Sequence, residues 1–311
     1  MSELRPGLAR SAASADWVLI AIPGVIWGAS FLFIAEGLKA MRPNGITFVR
    51  LLIGLITLAL FPASRKPVDR SAWPAIALVG VLWFAYPLSM FPLAEQRVSS
   101  ALTGMLNAVV PLFTAIVATA IARRIPERRV LAGLAVGFTG AGLVAWPTMH
   151  EGHSSTVGVL LILAALVSYG FALNFARPLQ QRYGALPVIL RAQTVAVILT
   201  APLGVPDVLT ARWTPASFFS LLMLGAFGTG IAFVSLAIAA GRVGATRASS
   251  AAFLIPPVAL LLGIVVRHEH VAMLSIAGSP VCVAGAWFMR AGKISPERDT
   301  ASLLRSPALL G

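Results

Sequence analysis

Residues 157–176 read VGVLLILAALVSYGFALNFA, twenty consecutive positions without a charged side chain. A hydrocarbon core about 30 Å thick is crossed by about 20 apolar residues in helical form, and this stretch has that length. Its apolar residues do not alternate with polar ones, which favours a helix over a strand of a membrane barrel. The stretch therefore predicts a transmembrane helix.

Apolar runs of the same kind occupy most of the chain. Ten are found, at residues 17–35, 45–62, 74–93, 98–121, 129–147, 157–176, 186–204, 217–239, 245–266 and 272–290. Of all residues, 58% are apolar and 11% are charged, and the mean hydropathy is +0.87. A soluble domain carries about 25% charged residues, so this composition argues strongly against a cytosolic enzyme. We predict an all-α integral membrane protein with ten transmembrane helices.

The basic residues predict the orientation of the chain in the membrane. The formal net charge is +13, from 24 Lys and Arg against 11 Asp and Glu, but these residues are scattered between apolar runs, so nucleic acid is not expected as a partner. With the N-terminus inside, 17 Lys and Arg fall on inner segments and 5 on outer segments. This bias follows the positive-inside rule. It predicts a multi-pass protein of the cytoplasmic membrane, in contact with the lipid bilayer, with both termini in the cytoplasm.

The second half of the sequence repeats the first at an offset of about 145 positions. The offset aligns Arg97 with Arg242, Pro111 with Pro256, Gly133 with Gly278, and Gly140 with Gly285. The predicted units are residues 17–147 and 157–290, between a cytoplasmic N-terminal segment, 1–16, and a flexible cytoplasmic tail, 291–311. Five spans per unit give the two units opposite orientations. Such inverted repeats are typical of transporters.

Several motifs resemble the EamA type of the drug/metabolite transporter superfamily. They are Trp27-Gly28-Ala29-Ser30-Phe31, Arg50, Gly228-Thr229-Gly230 and the segment from Arg242 to Ala248. The resemblance implies a carrier of two inverted five-helix repeats in the cytoplasmic membrane, often an exporter of amino acids or other metabolites. The first repeat has Arg124 where the second has Glu269, and Pro256-Pro257 replaces an acidic residue of the family pattern. These differences leave the solute open.

Polar and aromatic residues in the middle of spans are the candidates for substrate binding. A polar side chain is costly in lipid, so these residues should face the interior of the bundle. The candidates are Trp27, Ser30, Tyr86, Asn107, Tyr169, Asn174 and Ser235. Hydrogen bonding between helices is the alternative role for each of them. Together they predict a mostly apolar central cavity for a small neutral or zwitterionic solute. Replacing Asn107 or Asn174 with Leu should then impair transport.

Every acidic residue lies in a predicted loop, a tail or at the end of a span, so the sequence shows no buried carboxylate that could relay protons. If protons are coupled to transport, the titrating group should be Glu36, Glu95 or Glu269 near the outer mouth. Capping of helix ends is the favoured alternative for these residues. We therefore expect uniport-like export or weak coupling.

Two arginines and two of the prolines within spans are further candidates. Arg50 and Arg191 each lie about five residues, or ~7.5 Å, into a span, and so shallow an arginine can extend to the headgroups. This favours a structural role, with Arg50 the better candidate for function. Pro111 and Pro256 occupy equivalent repeat positions, where they could act as gating hinges or simply bend their helices.

The remaining motifs limit the classes of function. The pattern Gly133-Leu-Ala-Val-Gly137 could drive formation of a homodimer or pack within the chain. A single cysteine and four histidines with poor spacing do not indicate a metal, and no phosphate-binding loop for ATP is present, so no cofactor is expected. We predict a secondary transporter of a small molecule. A channel or an accessory membrane subunit is the alternative, and an integral-membrane enzyme is less favoured.

Overall fold

Helices are the only regular secondary structure in the part of the chain that the computed structural model describes, residues 6–98, 100–123, 125–150, 155–267 and 272–290. The prediction of an all-α membrane protein is thereby confirmed at the level of fold class. The first half contains α1 (Pro6–Gly37), α2 (Pro43–Ala59), α3 (Trp73–Gly80), α4 (Tyr86–Glu95), α5 (Ser100–Leu106), α6 (Val110–Ala122) and α7 (Arg128–His150). The second half contains α8 (Thr156–Tyr183), α9 (Ala185–Leu209), α10 (Pro215–Met223), α11 (Ala232–Val243), α12 (Ala245–Ala248), α13 (Ile255–Arg267) and α14 (Met273–Arg290).

Several of these helices continue into one another through short irregular turns, so that the described residues form ten helical rods. Seven stretches are long and apolar enough to cross a membrane, and two shorter apolar helices are Pro43–Ala59 and Ile276–Met289. The first rod begins at Pro6, earlier than the apolar run that starts at residue 17. The predicted tail, residues 291–311, lies outside the described residues.

The irregular turns recur at corresponding places in the two halves. A π-helical turn, Val81–Ala85, joins α3 to α4, and another, Leu224–Ile231, joins α10 to α11. A 3₁₀ turn, Asn107–Val109, joins α5 to α6, and another, Ser249–Leu254, precedes α13. These turns are spaced by about the offset of the sequence repeat, so each half carries the same pair of interruptions.

Both repeat-equivalent prolines follow the 3₁₀ turns directly. Pro111 is the second residue of α6, and Pro256 is the second residue of α13. At the first turn of a helix the missing N–H of proline removes no intrahelical hydrogen bond. Each proline therefore lies in the first turn of a helix that follows an irregular turn, and does not break the middle of a helix.

Helices α7 and α14, the last of each half, pack against each other through glycines. A Cβ atom built on Gly285 would lie 2.4 Å from the Cα atom of Gly137, and one on Gly133 would lie 3.0 Å from the Gly285 carbonyl oxygen. A Cβ atom on Gly140 would lie 2.4 Å from the backbone nitrogen of Cys282, which is fully buried. Gly133 and Gly137 thus pack within the chain, which favours that alternative for this motif. A homodimer stays a prediction.

Candidate substrate cavity

A cavity lies between helices of both halves. It has about 580 Å³ of atom-free space, part of which is open solvent, and the centre of a water molecule can occupy about 40 Å³ of it. In the first half its walls come from α1, α2, α4 and α6 and from the turns Val81–Ala85 and Asn107–Val109. In the second half they come from α8, α11, α13 and the 3₁₀ turn Ser249–Leu254. The lining residues are Trp27, Ser30, Phe31, Ile34, Arg50, Trp83, Leu88, Phe91, Asn107, Val110, Tyr169, Leu173, Phe233, Leu236, Ser249, Ala251, Ala252 and Ile255. The walls are therefore mostly apolar, with a few polar groups.

Aromatic rings form much of the wall. The ring of Phe233 lies 5.1 Å from that of Trp27, edge to face, and 5.8 Å from that of Trp83, measured between centroids. The Phe91 ring lies 5.9 Å from the ring of Tyr169. These separations lie in the range that favours aromatic pairs, so the rings support one another and form a fixed apolar surface.

The π-helical turn Leu224–Ile231 organises the polar groups beside the cavity. Such a turn breaks the regular hydrogen-bond ladder of the helix, which leaves carbonyl groups for other partners. The Trp27 indole Nε1 donates to the Gly228 carbonyl over 2.9 Å, and the Gln193 amide donates to the Thr229 carbonyl over 2.7 Å. The Thr229 hydroxyl donates to the Leu224 carbonyl over 3.1 Å. The turn therefore fixes the orientation of a cavity-lining indole.

Arg50 lies inside the protein and lines the cavity, with 2% of its surface exposed. Its Nε atom donates to the Thr229 hydroxyl over 3.0 Å. The expectation that this arginine extends to the headgroups is wrong, because α2 turns this residue toward the π-helical turn Leu224–Ile231 and the cavity and not toward lipid. A sequence gives the depth of a residue along a helix. When every side of the helix is apolar, it does not show whether the residue faces lipid or the protein interior.

Arg191, the repeat equivalent of Arg50, does not reach the cavity. Its guanidinium donates to backbone carbonyls of Lys66 over 2.8 Å, Pro187 over 3.0 Å and Ser64 over 3.5 Å. These bonds tie α9 to the segment that follows α2. The structural role expected from the sequence describes Arg191 well.

Two carboxylates are buried, contrary to the expectation that none would be. Asp207 is 8% exposed in the last turn of α9, and it accepts a hydrogen bond from the Gly45 backbone over 3.3 Å. Both carboxylate oxygens of Glu95, the last residue of α4, are buried without a hydrogen-bond partner among the described residues. The sequence indicated where both carboxylates lie along their spans but not that the fold encloses them.

The polar candidates divide between the cavity and contacts within the bundle. Trp27, Ser30, Asn107 and Tyr169 line the cavity, and the Asn107 amide donates to the Thr103 carbonyl over 2.9 Å. Pro111 and Pro256 do not line it, although the residues before them, Val110 and Ile255, do.

Three other candidates lie elsewhere. Tyr86 is 40% exposed and does not line the cavity. Asn174 donates to the Thr114 carbonyl over 3.1 Å, which links α8 to α6, and Ser235 donates to the Leu19 carbonyl over 3.1 Å, which links α11 to α1.

The remaining sequence candidates lie away from the cavity or outside the described residues. Glu269 and Arg124 are outside the described residues. Glu36 is paired at the surface with Lys39. Within the described ranges, no group of three or more His, Cys, Asp or Glu side chains could hold a metal ion.

Sequence reasoning missed part of the cavity, namely Phe31, Trp83, Phe91, Phe233 and Ser249. Aromatic residues in a membrane protein also face lipid, so their positions alone carry no signal. Thr229 could have been found, because it lies within the Gly228-Thr229-Gly230 motif, and the flanking glycines allow α1 and α2 to approach it closely.

Comparisons with known proteins agree with this architecture. The EamA-like transporter family matches the chain twice, over residues 17–146 and 156–291. A protein of Streptantibioticus cattleyicolor named "Probable terminal-alkyne amino-acid exporter" is 26% identical over 294 residues, 93% of this chain and 98% of that protein. The transporter YdfC of Bacillus subtilis is 27% identical over 269 residues, 85% of this chain and 87% of that protein.

Two further comparisons concern location and fold. The inner membrane transporter YedA of Escherichia coli K12 is 26% identical over 275 residues, 86% of this chain and 88% of that protein. A solved structure titled "Crystal structure of protein" has a TM-score of 0.69 at 16% identity, and covers 88% of this chain and 96% of its own. At that identity the likeness concerns the fold alone. The relatives indicate a multi-pass membrane transporter and not an enzyme, and the two family matches show that this chain belongs to the EamA-like transporter family.

Proposed function

We propose that the protein is a secondary transporter that exports a small neutral or zwitterionic solute, of the amino-acid type, by alternating access. The observation that carries the proposal is the mostly apolar cavity between the two halves of an EamA-family chain. Its walls are mostly apolar, with Ser30, Asn107 and Tyr169 as neutral polar groups, which suits a small solute with an apolar body. The exporter of Streptantibioticus cattleyicolor supports the amino-acid class.

The proposal includes ten transmembrane helices arranged as two inverted five-helix repeats, residues 17–147 and 157–290. The paired π-helical and 3₁₀ turns support this arrangement, since each half carries both at corresponding places. The packing of α7 on α14 supports it too. Gly133 contacts Gly285, and their repeat equivalents Gly278 and Gly140 contact each other in the same way. Two similar halves that exchange conformations would open the cavity to either side in turn.

The proposal also places the protein in the cytoplasmic membrane with both termini inside the cell. The distribution of Lys and Arg supports this orientation, with 17 on the inner segments and 5 on the outer segments. In this orientation Glu95 lies at the outer end of α4, and Arg50 lies in the outer half of α2.

The transported solute is identified first, by mass spectrometry of culture medium and cell extracts from cells that overproduce or lack the protein. An exported solute accumulates outside on overproduction and inside on deletion. Purified protein in liposomes preloaded with unlabelled solute should then concentrate the labelled solute transiently. A channel or an accessory subunit gives no such counterflow, and its absence would contradict a carrier.

A matched pair of variants connects transport to the cavity. Trp27→Phe removes the hydrogen bond to the Gly228 carbonyl and puts a smaller ring in the cavity wall. It should lower the rate of counterflow about tenfold, as expected for one lost buried hydrogen bond. Trp287→Phe changes a half-exposed indole on α14 and should leave counterflow unchanged. Equal rates for both variants would argue against this cavity as the transport site.

A further inference from the structure

The guanidinium of Arg50 is a buried cation whose donors are mostly unused by the protein. Thr229 accepts from Nε over 3.0 Å, and neither terminal nitrogen donates a hydrogen bond to a described residue. Of the five N–H donors of an arginine, four belong to those terminal nitrogens and form a planar fork that matches a carboxylate. A buried charge of this kind calls for a partner, because desolvation of an isolated ion is costly.

Arg191 supplies a comparison within the same molecule. It occupies the equivalent repeat position, but its terminal nitrogens are held by the carbonyls of Ser64, Lys66 and Pro187. A structural arginine at this position therefore finds backbone acceptors. Arg50 is instead positioned through Nε by Thr229, on the π-helical turn, and lines the cavity. The difference between the two halves indicates that the terminal nitrogens of Arg50 are available to bind a ligand.

The carboxylate of Glu95 does not occupy the fork of Arg50. Both of its oxygens are buried without a hydrogen-bond partner among the described residues, and Glu95 is absent from the described lining of the cavity. Among the described residues, the protein therefore provides no carboxylate that is hydrogen-bonded to the terminal nitrogens of Arg50.

The rest of the cavity limits what a ligand on Arg50 can be. Arg50 is the one charged side chain among the described lining residues, and the others are apolar, aromatic or neutral polar groups. One cation in an apolar enclosure neutralises one negative group, and a second negative group would be buried without a partner. The chemistry therefore fits a single carboxylate on an apolar body.

We infer that Arg50 binds the carboxylate of a zwitterionic α-amino acid with an apolar body. This inference rests on the proposed function, because it names the part of the solute that the cavity recognises. The solute carboxylate accepts from the terminal nitrogens of Arg50, so removing the charge of Arg50 abolishes the preference for an acid.

Binding tests the inference without requiring transport. Purified full-length protein in lipid nanodiscs is titrated with three acid and amide pairs, namely L-leucine and L-leucinamide, L-phenylalanine and L-phenylalaninamide, and 4-methylpentanoate and 4-methylpentanamide. At least one acid should bind, and at least about tenfold more tightly than its amide, the amount expected for a charge-assisted hydrogen bond. Failure of all three acids to bind, or equal binding of acid and amide, would overturn the assignment.

Variants assign the preference to Arg50. Arg50→Gln should reduce the ratio of acid to amide affinity to about one, and Arg50→Lys should restore part of it, because lysine keeps the charge but loses the fork. Arg191→Gln, at the repeat equivalent that does not line the cavity, is the matched control and should leave the ratio unchanged. A ratio that Arg50→Gln leaves intact would overturn the role of Arg50.

Chemical labelling covers the case in which Arg50→Gln does not fold. Phenylglyoxal, an apolar reagent specific for arginine, should modify Arg50 in the wild-type protein, and the bound acid should protect it while the amide does not. Adducts are located by mass spectrometry of peptides. An Arg50 that reacts equally with and without the acid, or that reacts only after denaturation, would contradict the inference. Loss of counterflow with acid binding intact would instead contradict the proposed transport alone.

Discussion

The two asparagines of the cavity region have different surroundings and should respond differently to the same change. Asn107 lines the cavity, and among the described residues its side chain bonds only to the Thr103 carbonyl of its own rod, whereas Asn174 links α8 to the Thr114 carbonyl of α6. Asn107→Leu should weaken solute binding, with a KM raised about tenfold and an unchanged melting temperature, since it removes one ligand hydrogen bond. Asn174→Leu should instead lower stability by about 0.6 kcal/mol, the mean for a hydrogen bond between membrane helices.

Counterflow kinetics and thermal unfolding in detergent, measured on both variants, check this division. The reverse pattern, with KM changed by Asn174→Leu and stability lowered by Asn107→Leu, would contradict the placement of the two side chains. The sequence alone predicted the same outcome for both variants. In a helix that is apolar all round, it does not show which neighbours a polar residue faces. Only the packing of α8 on α6 separates them.

Helix pairs that meet through glycine should be sensitive to a single methyl group. Gly140→Ala on α7 would place its Cβ atom 2.4 Å from the backbone nitrogen of Cys282 on α14, so the helices must move apart. Destabilisation of about 1–3 kcal/mol is expected from overpacking of this kind. Gly142→Ala lies on the same helix with nothing within 4 Å of its Cβ atom, so it should leave the melting temperature unchanged or slightly raise it, because alanine favours the helix.

Thermal unfolding of the two alanine variants measures the difference, and equal melting temperatures would contradict the close contact of α7 with α14. The sequence repeat identified Gly140 and Gly285 as equivalent. It did not show that Gly140 on α7 packs against α14 and that Gly285 on α14 packs against α7. The π-helical turns Val81–Ala85 and Leu224–Ile231 were also missed. Hydropathy along a span is the same for α and π geometry, so such turns leave no periodic signal in a sequence that is apolar on every face.

At the scale of the whole molecule, sequence reasoning was most successful where the signal is summed over many residues. The all-helical fold and the membrane class follow from composition and run length, and the family follows from motifs spread over both halves. The burial of Arg50 and Glu95 could not be predicted in this way, because it depends on which faces of α2 and α4 meet the other helices. A charge near the end of a span has the same sequence signature whether it meets headgroups or a cavity.

The orientation of the whole molecule leads to the last prediction. Ala63 follows α2 in a segment with Arg65, Lys66 and Arg70, and Ala216 lies at the start of α10, after a segment whose single basic residue is Arg212. Both alanines are exposed, and Cys282 is the one cysteine of the chain, so single-cysteine variants are made in a Cys282→Ala background. Because basic segments stay inside the cell, an impermeant maleimide should label Ala216→Cys in intact cells and Ala63→Cys only after permeabilisation. Solute export that is retained in each variant shows that its fold is native. Labelling in the reverse order would place the termini outside the cell, and the ends of the helices assigned as outer near Arg50 and Glu95 would then be inner.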